Sequence, residues 1–455
     1  MKNNFFSGRE AVKDFLNPEN APMLPLVELP RDYYKLWRRK IFVYAKLMSF
    51  LPLHNSKSLP AYAMLKKHGK ASSYLTESSS GNTVFSLAAI APHFGYKKIK
   101  AFASYEASKA KIDLLNFMNV EADIRHDSIC PDPSNPSGII QMARNQGTQP
   151  NWFNPDQYGN PENPRIHSQI TAQQLHDQLG NSLSMICAGL GTTGTLLGLS
   201  QALKKKRNNL FSLGVVRSPN NPVPGVRTKG LLKEIAFDWS EYVDKTTSVD
   251  TRSSYITSLE LCRRGLLVGP SSGLAIRGCL DFLSSRSLKI LRSMRNVDDS
   301  IHVAVICPDG PFLYLKDYFD ILGPNFFPKE KNRGTKNVIK SLTARKIISM
   351  AFNPKDSALK LKNNIYIIDI RKAIDFKHAY IPGSINIQEA GIAKFLTTIN
   401  KKKEVIVVCS YGVRSQAIVK QLLEANIKAY NLQGGFSAWS KAQLPRKSLT
   451  CKLSL

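Results

Sequence analysis

Cysteine is scarce in this chain. Seven are spread over 455 residues, at positions 130, 187, 262, 279, 307, 409 and 451, with no Cys-x-x-Cys pair and no metal-ligand spacing. That scatter excludes a disulfide framework and points to a reducing, cytoplasmic setting without a metal. Long apolar runs are also missing. No segment reaches the length of a membrane span, and Met1-Lys2-Asn3-Asn4-Phe5-Phe6 is soon followed by Arg9, Glu10, Lys13 and Asp14 rather than by the apolar core of a signal peptide. Acidic residues are in deficit, 34 against 63 Lys and Arg, for a net charge of +29. From Phe326 onward the imbalance sharpens to 24 basic residues against seven acidic ones. Such an excess attracts anions, but the basic residues are dispersed and no aromatic-basic motif accompanies them. A solvated Lys-rich surface is therefore expected, with neither nucleic acid nor membrane as a partner. Hydrophobic residues at 43% and charged residues at 21% exclude a disordered chain.

What is present is length enough for two or three domains. From Pro25 to about Gly323, β-branched runs such as Ile41-Phe42-Val43-Tyr44, Ile99-Lys100-Ala101-Phe102, Met185-Ile186-Cys187-Ala188 and Val303-Ala304-Val305-Ile306 alternate with helical patterns. That alternation predicts βαβ units and a mainly parallel sheet, an α/β fold. A polar, basic stretch, Pro328 to Lys336, reads as a linker, placed at 326–340. Beyond it, Ile365-Tyr366-Ile367-Ile368 and Val405-Ile406-Val407-Val408 are buried-type strands of a second, smaller α/β unit. The expected division is 1–325 and 341–455.

Three features of the first unit carry chemistry. Lys57 lies at a strand-to-helix junction, before the apolar helical pattern Ala61, Met64, Leu65. Desolvation there would lower its pKa and favour Schiff-base chemistry. Alone, it reads as one more surface lysine. Glu77-Ser78-Ser79-Ser80-Gly81-Asn82-Thr83 leads into an apolar helix, and hydroxyls, an amide and free N–H groups at such a point suit a carboxylate, or simply cap the helix. Ala188-Gly189-Leu190-Gly191-Thr192-Thr193-Gly194-Thr195 joins a strand to a helix, a turn that lets backbone amides approach a phosphate.

In order and spacing, the three resemble the cysteine synthase and cystathionine β-synthase group of fold-type II pyridoxal-phosphate enzymes. The resemblance runs over roughly 22–320 and extends to Asn154-Pro155-Asp156-Gln157-Tyr158-Gly159-Asn160-Pro161-Glu162-Asn163-Pro164, Gly269-Pro270-Ser271-Ser272-Gly273 and Pro308-Asp309. It implies two α/β subdomains, pyridoxal 5'-phosphate as cofactor, and a homodimer. It makes Lys57 the Schiff-base lysine and general acid/base, and gives Asn82 the cofactor's phenolate oxygen. Ser79, Ser80, Thr83 and Gln157 would hold the substrate carboxylate, and Gly191, Thr192, Thr193, Gly194 and Thr195 the cofactor phosphate. The implied chemistry is β-elimination followed by addition of sulfide or a thiol, on O-acetylserine or a similar amino acid. The chain departs from the family's Asn-Pro-x-x-Ser-x-Lys-Asp-Arg pattern, reading Leu51 to Leu59 with Asn55, Ser58 and Leu59 changed and Lys57 kept. Gly310 stands where the family offers a serine to the pyridine nitrogen.

In the second unit, the strand ending at Val408 leads into Cys409-Ser410-Tyr411-Gly412-Val413-Arg414-Ser415 and then a helical pattern. A cysteine at a strand end facing converging loop amides would have a depressed pKa, and Arg414 could grip an anionic sulfur donor. A lone cysteine is more often a buried structural one. The neighbouring Asp369-Ile370-Arg371, His378 to Asn386 and Leu432-Gln433-Gly434-Gly435-Phe436-Ser437-Ala438-Trp439 decide the matter, because the set resembles a single-domain rhodanese over roughly 340–447. That resemblance implies sulfane sulfur carried as a persulfide on Cys409. The whole chain then reads as an enzyme of sulfur amino-acid metabolism acting on small amino-acid and sulfur-donor substrates. A cystathionine β-synthase-like or sulfide-releasing lyase is one alternative. A weakened cofactor-binding scaffold for an active rhodanese is another.

Overall fold

The β-branched runs become the interior strands of three sheets in the computed structural model, which describes residues 4–69, 72–128, 131–285, 288–328, 339–352 and 360–449. The chain separates into two units, 1–328 and 329–455. Most of the expected linker, 329–338, lies outside the described residues.

In the first unit the strands are β1 (Leu26–Glu28), β2 (Ile41–Leu47), β3 (Tyr74–Ser78), β4 (Lys98–Ser104), β5 (Glu121–Arg125), β6 (Trp152–Phe153), β7 (Leu183–Gly189), β8 (Phe211–Arg217), β9 (Lys245–Val249) and β10 (Ile301–Cys307). Six of them form one sheet in the order β1-β2-β10-β7-β8-β9, parallel except for the β1–β2 pair. Central strands of a parallel sheet are covered on both faces, so they read as continuous apolar runs rather than alternating ones. On β10, Val303 and Val305 pack with Ile41, Val43, Met185 and the helix Pro270–Ser285, whereas Ala304 and Ile306 face Ile186, Ala188 and the helix Gly194–Lys206. Cys187, Cys279 and Cys307 are free thiols of this core, and burial raises the pKa of Cys307 to about 12, which disfavours its thiolate. The other four strands form a parallel sheet, β5-β4-β3-β6, around Leu75, Val84, Leu87, Ile99 and Leu115.

The second unit holds β11 (Ser341–Leu342), β12 (Ile365–Asp369), β13 (Ile385–Asn386), β14 (Glu404–Val408) and β15 (Ala429–Leu432), all parallel, in the order β11-β15-β14-β12-β13. Alternate residues of β12 and β14 feed two cores, one around Ile367, Ile406, Val408 and Trp439, the other around Ile368, Val405, Val407 and Leu422. Among the described residues no helix is long and apolar enough to cross a membrane.

In both units the chemistry-bearing loops leave the carboxyl ends of the strands. Lys57 follows β2, the Ser79–Gly81 loop follows β3, the glycine loop follows β7, Asp309 follows β10, and Cys409 follows β14. Parallel sheets collect loops at that edge, where helix N-termini add anion affinity.

Candidate active sites

The first site is a cavity of about 180 Å³ lined by the segments around Lys57, Asn82, Thr192 and Asp309. Lys57 immediately precedes the helix Ser58–His68. Its loop is pinned from several sides. The Ser56 amide donates to the Pro308 carbonyl at 2.8 Å, and Asn55 pairs with Asp309 in an isolated bridge. Asn55, a departure from the family pattern, is only 2% exposed; its Oδ1 accepts from the Lys57 amide at 2.9 Å and from Ser86 Oγ at 3.1 Å. The altered residue therefore fastens the lysine loop rather than loosening it. Burial pulls the Lys57 pKa down to about 8; Glu77 opposes the shift and Arg227 adds to it. Its Nζ lies 3.5 Å from Thr192 Oγ1.

Asn82 opens the helix Asn82–Ile90 and donates through Nδ2 to Asp309 Oδ2 at 2.7 Å, leaving its second N–H for a ligand. Asp309 Oδ2 also accepts from the Tyr314 hydroxyl at 2.6 Å, while its Oδ1 is buried without a partner among the described residues. Burial raises the Asp309 pKa, against the hydrogen bonds from Tyr314 and Asn82. Beside it, a side chain at Gly310 would find open space, with Leu267 O the nearest atom at 3.8 Å.

The glycine loop makes an anion cradle at the start of the 13-residue helix Gly194–Lys206. Gly191 is obligatory there, because a Cβ would come within 2.2 Å of the Gly225 carbonyl oxygen. Thr193 adopts a left-handed φ of 68°, and its buried hydroxyl has no partner among the described residues. Thr192 Oγ1 accepts from Asn163 Nδ2 at 3.1 Å, and Thr195 Oγ1 lies 3.2 Å from His167 Nε2. An unpartnered buried hydroxyl and free amides at a helix N-terminus fit a phosphate group.

Of the residues expected to hold a carboxylate, Ser79 and Ser80 line the cavity half-buried, and Ser79 Oγ accepts from the Gly81 amide at 3.1 Å. Thr83 and Gln157 are brought together, Thr83 Oγ1 donating to Gln157 Oε1 at 2.8 Å, with Gln157 Nε2 bonded to the Ser78 carbonyl at 3.1 Å. Beneath them Glu77 accepts from the Ser78 and Gln157 amides at 2.8 and 3.2 Å, and burial lifts its pKa to about 8.

Three residues of the site escaped the sequence reading, His167, Arg227 and Lys111, and Asn163 fell inside the 154–164 motif without a role. His167, 1% exposed, bridges Thr195 to Thr171, and burial pushes its pKa down to about 3, so it stays neutral. Asn163 reaches the glycine loop from the segment after Gln157. Arg227 and Lys111, 2% and 6% exposed, line the cavity from loops and helices far apart in sequence. No spacing rule joins them to Lys57.

The second site is local. Cys409 is 2% exposed at the end of β14, and its Sγ accepts from the Gly412 amide and the Ser415 hydroxyl, both at 3.1 Å. Burial alone would raise the thiol pKa, but the Ser415 hydroxyl and the amides of Ser415, Tyr411 and Gly412 outweigh it and set it below the usual value. Gly435, at φ 60°, lets the helix Gly435–Lys441 press against the loop: a Cβ would sit 2.3 Å from the Cys409 carbonyl oxygen and 2.6 Å from the Gly412 nitrogen. Asn431 Oδ1 lies 2.6 Å from the same Ser415 hydroxyl and competes for its single proton, and Asn431 Nδ2 holds the Gly412 carbonyl at 3.1 Å. Arg414 starts the helix Arg414–Glu424 with its guanidinium largely in solvent, 3.7 Å from Glu389. Asp369 and Arg371 form a buried ion pair at 2.6 Å under Phe436, so that motif builds the unit and does not face a substrate.

Against known proteins, the family described as pyridoxal-phosphate dependent enzyme matches residues 20–291, and the rhodanese-like domain matches residues 355–442. The chain is similar to a cysteine synthase of Staphylococcus aureus (strain N315), 30% identical over 257 residues, 51% of this chain and 78% of that protein. It is 26% identical over 298 residues to cysteine synthase B of Escherichia coli (strain K12), covering 64% of this chain and 90% of the relative. With cystathionine β-synthase of Dictyostelium discoideum it shares 32% over 232 residues, 47% of this chain, and spans 45% of that protein's length. Among solved structures, O-ureido-L-serine synthase superposes with a TM-score of 0.58 at 21% identity, over 72% of this chain and 98% of the other, a likeness of fold.

Proposed function

Because the chain belongs to the pyridoxal-phosphate dependent enzymes of the cysteine synthase type and carries a rhodanese-like domain, we propose that it replaces the β-substituent of an amino acid with sulfur, and that Cys409 carries sulfane sulfur. The observation that carries the first half is the meeting of a desolvated Lys57, the Asn82 amide and the unpartnered Thr193 hydroxyl in one cavity. Pyridoxal phosphate, when bound, supplies an electron sink that stabilises negative charge on the amino acid's Cα. The chain's residues supply the rest. With a pKa near 8, roughly a tenth of Lys57 is neutral at pH 7, ready to take the Cα proton at Nζ. The 191–195 loop would hold the phosphate, and the second N–H of Asn82 the phenolate oxygen. Ser79, Ser80, Thr83 and Gln157 would orient the substrate carboxylate. Asp309, with its free Oδ1, is the acidic group beside Gly310, where a serine would otherwise stand.

In the second half, the Cys409 sulfur attacks the outer sulfur of thiosulfate. A new S–S bond forms on Sγ, the old one breaks, and sulfite leaves with the electron pair. The Gly412 amide and Ser415 hydroxyl that stabilise the thiolate would then hold the persulfide.

The test is visible absorption of the full chain. The wild type should show a cofactor band that shifts with O-acetylserine and returns when sulfide is added, and Lys57→Ala should lack both changes. A band indifferent to O-acetylserine and to serine would discard the β-replacement reading.

A further inference from the structure

We propose that the open face of the four-stranded sheet binds a small monocarboxylate with an apolar body, and that this ligand tunes substrate affinity in the catalytic cavity through the helix Ile139–Gly147. The binding stands by itself. Its effect on catalysis rests on the β-replacement reading above.

Lys100 and Phe102 of β4 share one face with Asp123 and Arg125 of β5, because Phe102 lies opposite Asp123 in the parallel register. The other face of β4 is closed by Ile99 and Ala101 against Leu115. On the open face, Ala143 and Met142 of the helix Ile139–Gly147 pack on Phe102. Between that helix and the edge strand β5 lies a groove of about 550 Å³. Its size falls within the roughly 300–1,000 Å³ of small-molecule sites.

Two cations share one carboxylate in this groove. Asp123 accepts from Arg125 Nε and Nη2 at 2.7 and 3.0 Å and lies 3.4 Å from Lys100 Nζ. Glu121 is already matched by Lys98 at 2.6 Å. One positive charge is left over, on an arginine whose Nη1 meets no acceptor among the described residues. The Lys100 and Asp123 side chains are only 19% and 20% exposed, so water does not freely screen them. Gln146 lines the groove with a side-chain amide that makes no hydrogen bond among the described residues. Phe102 and Met142 supply an apolar floor. A carboxylate suits the outer edge of the guanidinium and the spare amide, while an alkyl or thioether tail covers the floor. A dianion would exceed the one spare charge, and a neutral ligand would leave it unmet.

The same helix reaches the catalytic cavity. Its first residue, Ile139, lines that cavity. Arg144 grips Asp156 through two bonds of 3.1 and 3.2 Å, and the next residue, Gln157, pairs with Thr83. At the helix end, a Cβ on Gly147 would come within 2.5 Å of the Asn154 side chain, so helix and 154–157 segment are closely seated. A ligand clasped between the helix and β5 therefore steadies Gln157 where a substrate carboxylate needs it. Such coupling acts on substrate affinity rather than on the chemical step.

The probe is pentanoate, which has no amino group and so cannot act as a substrate. Calorimetric titration of the full-length holoprotein should show saturable binding, and Arg125→Met and Lys100→Met should each weaken it by at least about tenfold. Pentanamide, its neutral counterpart, should not bind. In turnover with O-acetylserine and sulfide, pentanoate should lower KM about threefold with kcat unchanged, and Arg125→Met should abolish that response while keeping the basal rate. No saturable binding to the wild type would overturn the proposal. So would binding that survives both substitutions and competes with O-acetylserine, which would place the carboxylate in the catalytic cavity. Binding that depends on Arg125 but leaves KM unmoved would remove the coupling through the helix. Arg125-dependent binding in a protein whose cofactor band answers to no substrate would uphold the site and sink the β-replacement reading alone.

Discussion

The lysine and the cysteine on which the two units turn both have lowered pKa values, and they reach them by opposite physics. Lys57 is lowered because its charged form is penalised: burial strips water from the ammonium and Arg227 repels it. Cys409 is lowered although burial works against it, because a hydroxyl and three amides favour the charged form. Desolvation requires walls, and the walls of the lysine cavity come from segments spread between Ser56 and Tyr314. Hydrogen bonding to a thiolate requires only a loop, and the donors to Cys409 all lie within the next six residues. One site is assembled by the fold; the other is nearly complete in a single strand-loop-helix turn.

The sharpest way to break that contrast is to disable each side chain separately in the full chain. Cys409→Ser should lower thiosulfate:cyanide sulfur transfer by at least about 10³-fold while leaving the visible cofactor band intact. Lys57→Ala should do the reverse. If Lys57→Ala also abolished sulfur transfer, the two sites would be one machine rather than two.

Next in size is a packing test. Gly435→Ala puts a methyl 2.3 Å from the Cys409 carbonyl oxygen at a left-handed φ, and should cost the second unit roughly 2–3 kcal/mol, read as a lower denaturation midpoint. Gly310→Ala meets nothing nearer than 3.8 Å and should stay within about 0.5 kcal/mol of wild type. A large cost at both positions would mean that the lysine cavity is packed as tightly as the cysteine loop.

The same contrast explains what the sequence disclosed. The interior strands were legible because parallel, doubly covered strands leave continuous apolar runs, as in Val405 to Val408. The cysteine loop was legible because its donors are contiguous with Cys409. Lys57, Asn82 and the glycine loop stood out through their ordered resemblance to a family. Arg227, Lys111 and His167 did not, because each reaches the cavity only through tertiary folding and none carries a local pattern. Asn55 was read as a departure, yet its hydrogen bonds to the Lys57 amide and to Ser86 make it a clamp, a role set by a helix residue 31 positions away.

His167 gives the first unit a predicted acid sensitivity. Its folded pKa of about 3 lies below the ordinary 6.5, so between those values the unfolded chain binds the extra proton. Its contribution to stability is complete above about pH 6.5 and is lost as the pH falls toward 3. The folded imidazole stays neutral over that window, so its contact with Thr195 Oγ1, 3.2 Å from Nε2, should persist there while global stability falls. His167→Gln should flatten the melting temperature between pH 6.5 and 4.5. A slope unchanged by that substitution would place the acid sensitivity elsewhere.

The smallest expected effect separates the donors to Cys409. Ser415 has one hydroxyl proton and two acceptors in reach, Cys409 Sγ at 3.1 Å and Asn431 Oδ1 at 2.6 Å. Asn431 spends its amide hydrogens on the Gly412 carbonyl and on Ser341 Oγ, so its Oδ1 competes with the thiolate for the serine proton. Ser415→Ala removes that shared donor but keeps the backbone amides of Tyr411, Gly412 and residue 415, and should raise the thiol pKa by no more than about one unit. The pH dependence of Cys409 alkylation measures it. A rise well beyond one unit would mean that the hydroxyl, and not the loop backbone, sets the thiolate, and the second site would then owe as much to a distant residue, Asn431, as the first owes to its walls.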